Sequence, residues 1–185
     1  MSDQPQLPAS VVIQRDQDRL DANLAEGQLH GPAQITHAGR PQAALTYQQG
    51  QLQGPMVLFH PNGKASARLN FSAGQLHGPA RFFFADGRLQ REASYRAGLL
   101  HGEVKTYLAD GTLVEQEFYR QGVLHGVLQR FHPNSILAFR GTYHHGLLVD
   151  TAETFAADGR PLDAKGRPLA RPLWWWRRWQ EPPPG

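Results

Sequence analysis

Four histidines hold the same place in a repeated pattern: His30, His77, His101 and His125 each stand fourth in Gly-x-Leu-x-Gly. Imidazole is the commonest side-chain ligand for transition metals, so a row of it raises the question of zinc. Spacing argues against such a row. If each pattern belongs to one hairpin, equivalent residues lie two strands apart, roughly 9.5 Å, whereas a zinc nitrogen ligand sits about 2.0–2.1 Å from its metal. His144 and His145 are consecutive, and consecutive strand residues leave on opposite faces, so they are not expected to chelate together. Glu115 and Glu117 share the face of an expected strand. A carboxylate pair can do acid–base work, but nothing nearby in sequence supplies its partner, so a solvated strand face is expected. The chain has no Gly-x-Ser-x-Gly elbow, no His-Glu-x-x-His and no P-loop. Cysteine is absent, which removes disulfides, thiolate metal sites and a thiol nucleophile. No catalytic, metal or cofactor residue is assigned, and the expectation is a protein that is not an enzyme.

The elements that carry these residues follow from the pattern itself. Gly-x-Leu-x-Gly begins at Gly27, Gly50, Gly74, Gly98 and Gly122, and decays in Gly146-Leu147-Leu148-Val149-Asp150, at intervals of 23 and then 24 residues. A fixed period of this size marks a repeat array, each repeat burying its apolar surface on its neighbours. A second landmark keeps the same time: Asn62-Gly63, Asp86-Gly87, Asp110-Gly111 and Asp158-Gly159, with Gly39 one period earlier and Asn134-Ser135 as the exception. Asx-Gly between apolar runs predicts a tight hairpin turn, since both residues tolerate positive φ. In His60-Pro61-Asn62-Gly63 the fixed φ of Pro61 suits the first central place of a type I turn, and Ser135 in the Gly place should be mildly strained. Gly recurs too often to leave room for a stable helix.

Two aromatic columns mark the strands. One holds Phe59, Phe83, Tyr107, Phe131 and Phe155; the other holds Tyr47, Phe71, Tyr95, Tyr119 and Tyr143. They read either as packing within the sheet or as large apolar anchors for a partner. The fold expected is all-β: an elongated single-layer antiparallel sheet of stacked hairpins. Residues 1–16 give an N-terminal segment with an opening strand at Val11-Val12-Ile13, residues 17–160 the array of about six repeats, and residues 161–185 a basic Trp/Pro-rich tail.

Gly-x-Leu-x-Gly, a following aromatic, Asx-Gly, and an aromatic before the next Gly together resemble MORN repeats, most closely the bacterial MORN-variant repeat. The likeness runs from about Asp18 to Gly159 and departs from the pattern in the shortened first repeat, at Ser135 and at Asp150. It implies a stacked-hairpin scaffold that binds protein and, in some members, sits near lipid. It also implies kinship with antitoxins of the YwqK type and with immunity proteins that neutralise a partner toxin by direct contact.

Charge narrows the partners. The net charge is +3, yet from Arg160 to Gly185 six basic residues face only Asp163 and Glu181, so the rest of the chain is close to neutral. A near-neutral body lacks the phosphate-neutralising surface of a nucleic-acid groove, and no nucleic acid is expected. Without a signal-like N-terminus or a long apolar run, a cytoplasmic protein is expected. Candidate partner-binding residues are Tyr95, Tyr119 and Tyr143 with Arg96 and Arg120, steered by further charges at Arg68, Arg81, Lys105 and Arg130. The tail adds Trp174, Trp175, Trp176, Trp179, Arg177 and Arg178. It reads as a terminal cap, as a partner anchor, or as a peripheral contact with anionic membrane in which the repeats act as a recruited scaffold. The sequence leaves the oligomeric state open.

Overall fold

A computed structural model describes residues 9–170, and the described residues form strands and turns with no helix. The chain divides into two compact units, Met1–Leu100 and His101–Gly185. In the first, Ala9–Arg15 pairs with Asp18–Ala25, that strand with Gln28–His37, and that with Arg40–Gln48, all antiparallel. Gly54–Phe59, Ala65–Ser72, Gly78–Phe83 and Leu89–Arg96 continue the succession. The second unit repeats it with Gly102–Tyr107, Leu113–Arg120, Gly126–Phe131, Leu137–His144 and the short Glu153–Thr154. Each unit is thus an open antiparallel sheet of consecutive hairpins, and the expected stacked-hairpin fold is present. Residues 161–170, expected as the start of the tail, form a further turn in which the Gly166 N–H donates to the Asp163 carbonyl at 2.9 Å.

The two landmarks use different turn chemistry. Among the Asx-Gly pairs only the second residue has positive φ: Gly63 at 81°, Gly87 at 93°, Gly111 at 92° and Gly159 at 83°. The Gly63 N–H donates to the His60 carbonyl and the His60 N–H to the Lys64 carbonyl, both at 2.8 Å. This is a type I turn closed by a glycine bulge, and Pro61 fits it because its fixed φ suits the first central place. The Asx side chain serves as an acceptor: Oδ1 of Asn62, Asp86 and Asp110 takes the N–H two residues on at 3.0, 2.9 and 2.8 Å. The turn with two positive φ values lies instead at the first glycine of Gly-x-Leu-x-Gly. Glu26, Gln49, Ala73, Ala97, Gln121 and His145 precede that glycine with φ between 49° and 53°. The shortened first repeat is explained here as well. Ala38 at 50° and Gly39 at 73° make a two-residue turn where later repeats use the longer, bulged one.

The same glycine joins one repeat to the next. The N–H of Gly50, Gly74, Gly98 and Gly146 donates to the carbonyl of Leu29, Leu52, Leu76 and Leu124, the motif leucine one repeat earlier, at 2.8–2.9 Å. The fourth residue of the motif turns back on its own repeat: the N–H of Gln53, His77 and His125 donates to Thr46, Asn70 and Phe118 at 2.9, 2.8 and 2.7 Å. The motif therefore holds itself and holds its neighbour.

Between the turns the sheet buries one thin double column. Ala33 faces Leu45 and Ala80 faces Ala93 in the first unit, with the half-buried Met56 and Leu69 facing each other between them. Val104 faces Glu117 and Leu128 faces Gly141 in the second. Small residues dominate the fully buried set, which includes Ala33 at 7%, Ala80 at 2%, Val104 at 1% and Leu128 at 4% exposure. Where Gly141 has no side chain, its own repeat fills the space: an added Cβ would lie 2.9 Å from Leu148 Cδ1 and 3.1 Å from the Phe139 ring. Both aromatic columns are half-buried and flank this seam.

Two stability predictions follow from this packing and these turns. Val104→Ala removes two buried methyl equivalents in a seam without a second layer and should cost about 2 kcal/mol in denaturant unfolding. Ser135 stands at φ 63° in the place that other repeats give to Gly. Ser135→Gly should raise stability and Gly63→Ser lower it, each by about 1 kcal/mol, because a Cβ is disfavoured in that backbone region. No atom lies within 4 Å of a Cβ built on Gly63, so the second change isolates the backbone effect.

Candidate partner-binding face

Strand alternation separates the residues that the sequence grouped. Tyr95, Tyr119 and Tyr143 are half-buried on the face of the buried seam. The Tyr119 hydroxyl donates to Glu117 Oε1 at 3.1 Å. Arg96 and Arg120 follow Tyr95 and Tyr119 in their strands, so they leave on the opposite face, and both are exposed. Trp174, Trp175, Trp176, Arg177, Arg178 and Trp179 lie outside the described residues.

Most of the expected steering charges are engaged within the fold. Arg68 stands over the Phe83 ring at 5.7 Å. Arg81 pairs with Glu92 at 3.0 Å, Lys105 with Glu103 at 2.7 Å and Arg130 with Glu115 at 2.7 Å. Glu115 and Glu117 are therefore not a solvated pair. Glu117 occupies the buried seam at 9% exposure, opposite Val104, and Glu115 is tied to Arg130, whose guanidinium is held above its ordinary value first by that hydrogen bond. The sequence placed both carboxylates on one face correctly and mistook which face it was.

On the outward face a second pattern runs through the motif turns. The residue before each turn and the first one after its glycine pair directly across it. They are Ala25 with Gln28, Gln48 with Gln51 and Ser72 with Gln75 in the earlier repeats. The pairs then become Arg96 with Leu99, Arg120 with Val123 and His144 with Leu147. Leu99, Val123 and Leu147 are 50%, 43% and 72% exposed. Val127 and Val149 add exposed apolar side chains in the second unit, whereas Leu148 pairs with Tyr143 on the seam side. Exposed apolar side chains beside arginine are of the residue types enriched at interaction sites, and in the second unit Val123 stands opposite Arg120 in this way. The change was readable from the period, at a place that the Tyr and Trp residues overshadowed.

The last motif also overturns the separation expected of His144 and His145. Their ring centroids lie 4.4 Å apart, and His125 comes within 4.6 Å of His144 and 5.4 Å of His145. Alternation fails because the strand ends at His144 and His145 has φ 51°, which turns its side chain off the pleat. The Gly146 N–H bond to Leu124 then lays this turn against the one that carries His125. The His125 ring is held below its ordinary value of 6.5, first by partial burial and then by His144, Arg120 and His145.

Histidines elsewhere have structural work that spacing alone did not suggest. Nε2 of His60 and of His132 donates to the carbonyl of Phe83 and of Phe155, each at 2.9 Å. Asn62 and Asn134 donate from Nδ2 to Ala85 and Ala157 at 2.6 and 2.8 Å. Each His-Pro-Asn turn thus fastens itself to the corresponding turn of the next repeat.

Comparison with known proteins gives a family match over part of the chain. The MORN repeat variant family matches residues 76–97 and 100–121. No curated protein sequence matches the chain. Among solved structures, the crystal structure of TarM is 12% identical over 72% of this chain and 19% of that one, at a TM-score of 0.29. The crystal structure of a GtfA/B complex bound to UDP and GlcNAc is 9% identical over 76% of this chain and 28% of that one, at a TM-score of 0.30. The chain thus spans only a minor part of either.

The histidine cluster generates a pH prediction. The lowered folded-state value means that the unfolded chain takes up the His125 proton first as pH falls through 6.5. This group's contribution to stability is therefore present above that pH and is lost on acidification towards the folded-state midpoint. In an NMR titration between about pH 7.5 and 5, His125 should titrate below the unperturbed range. Its midpoint should rise in the variant His144→Gln/His145→Gln, which removes both neighbouring rings.

Proposed function

The chain carries MORN-variant repeats, and we propose that it is a non-catalytic binding protein that captures a protein partner on the outward face of its later motif turns. The observation that carries this reading lies in the second unit: at the repeat place held by Gln28, Gln51 and Gln75 in the earlier repeats, Val123 and Leu147 stand exposed. Arg120 stands opposite Val123 in the register and has no ion-pair partner among the described residues. A hairpin array with both turns of each repeat hydrogen-bonded is preorganised, so it loses little conformational entropy on docking. Arginine beside an apolar anchor supplies the mixed contact that binding hot spots favour.

The resemblance to MORN-variant antitoxins and immunity proteins gives this reading its sharper form: the partner is a toxin, and contact neutralises it. A cytoplasmic location suits that role. Among the described residues no helix is long and apolar enough to cross a membrane. The rival is a scaffold drawn to anionic lipid by Trp174, Trp175, Trp176 and Trp179 with Arg177 and Arg178.

Co-purification from the native host with mass spectrometry separates the two. We expect a stoichiometric protein partner that is lost in Val123→Glu/Leu147→Glu while the melting temperature holds, because both side chains point to solvent. The antitoxin form further requires that the partner arrest growth when produced alone and that co-production relieve the arrest. Recovery only with anionic membranes, unchanged by the double substitution, would support the scaffold instead.

A further inference from the structure

His125, His144 and His145 each offer a nitrogen, and these atoms all lie within 4.8 Å of one another. Tetrahedral geometry with zinc–nitrogen bonds of about 2.0–2.1 Å needs donor separations of roughly 3.4 Å. The residual distance is within reach of χ rotation, since His144 and His145 are exposed and His125 is half-buried. The backbone beneath them is fixed. The His125 N–H donates to Phe118 at 2.7 Å and the Gly146 N–H to Leu124 at 2.9 Å, so the two turns that carry the donors cannot drift apart.

We propose that these three imidazoles form a divalent transition-metal site, of the zinc, copper or nickel class, that bridges the fifth and sixth motif turns. Three neutral nitrogen donors and no thiolate suit that class rather than calcium or magnesium, which prefer oxygen. Three protein ligands leave at least one coordination position for water or for a donor from outside. The arrangement belongs to this turn alone: the residues in the places of His144 and His145 are Arg96 and Ala97, then Arg120 and Gln121, in the two preceding repeats. It is also distinct from the His30, His77, His101 and His125 row, which supplies only one of the three. The buried Nδ1 of His125 without a partner is shared with His101, so it is a property of the motif place and not a mark of the metal. Arg120 opposes the site, since its positive charge acts on His125.

Bound metal would tie residues 19 and 20 positions apart in sequence and stabilise the folded chain in proportion to its occupancy. The test is calorimetric titration of the chelator-treated full chain with zinc chloride, repeated with the copper and nickel salts and read beside thermal melting. We expect one equivalent bound and a raised melting temperature. Binding at that site should vanish in His144→Gln/His145→Gln, survive in His30→Gln, and tighten in Arg120→Gln. Circular dichroism of the double variant checks that the sheet is kept, and chemical shifts of the three rings on adding diamagnetic zinc report the donors directly. No binding heat with any of the three salts, or uptake that persists undiminished in the folded double variant, would overturn the proposal.

Discussion

The hydrogen bond from the first motif glycine to the motif leucine of the preceding repeat is the constraint on which the rest of the structure depends. An antiparallel hairpin fixes only its own two strands. Something further must set where the next hairpin begins, because a slip of one residue would turn every buried side chain to the solvent face. Gly50, Gly74, Gly98 and Gly146 supply that reference, each donating to a leucine carbonyl one repeat away. The residue before each glycine takes positive φ to aim the donor, at Gln49, Ala73, Ala97 and His145. The backbone strain of those residues is the cost of the register they hold.

Once register is set, a thin seam suffices. The buried pairs differ in volume from repeat to repeat, from Ala80 with Ala93 to Leu128 with Gly141, and half-buried aromatics cover the difference. A sheet that packs this way has no second layer to hide its outward face. The outward face is therefore free to change character, from glutamine in the early repeats to leucine and valine in the later ones, without touching the fold. The same freedom lets two neighbouring motif turns carry three histidines between them.

The period, the all-β class, the opening strand and the strained Ser135 were legible in the sequence because each follows from local chemistry repeated in phase. Three things were not. Asx-Gly reads alike in a two-residue turn and in a type I turn with a bulge; Pro61 pointed to type I in its own repeat, but the bulge shows only in the hydrogen bonds of His60 with Gly63 and Lys64. Glu117 lies in phase with Leu45, Leu69 and Ala93, but a carboxylate in a buried column contradicts the usual cost of burying charge and so read as surface. His145 departs from strand alternation because of a left-handed backbone at one residue, which no pattern of residue types announces. The candidate binding residues divided for a simpler reason. Neighbours in a strand cannot share a face, so Tyr119 and Arg120 were never one surface.

Amide hydrogen exchange measures the central constraint directly. Gly50, Gly74, Gly98 and Gly146 are all exposed turn residues, and by exposure alone their amides would exchange freely. The account predicts that they exchange as slowly as the amides of the buried seam, Val104 and Leu128 among them, because each is bonded to the repeat before it. Exchange of the four glycine amides at the rate of unprotected loop residues, with the seam still protected, would contradict it.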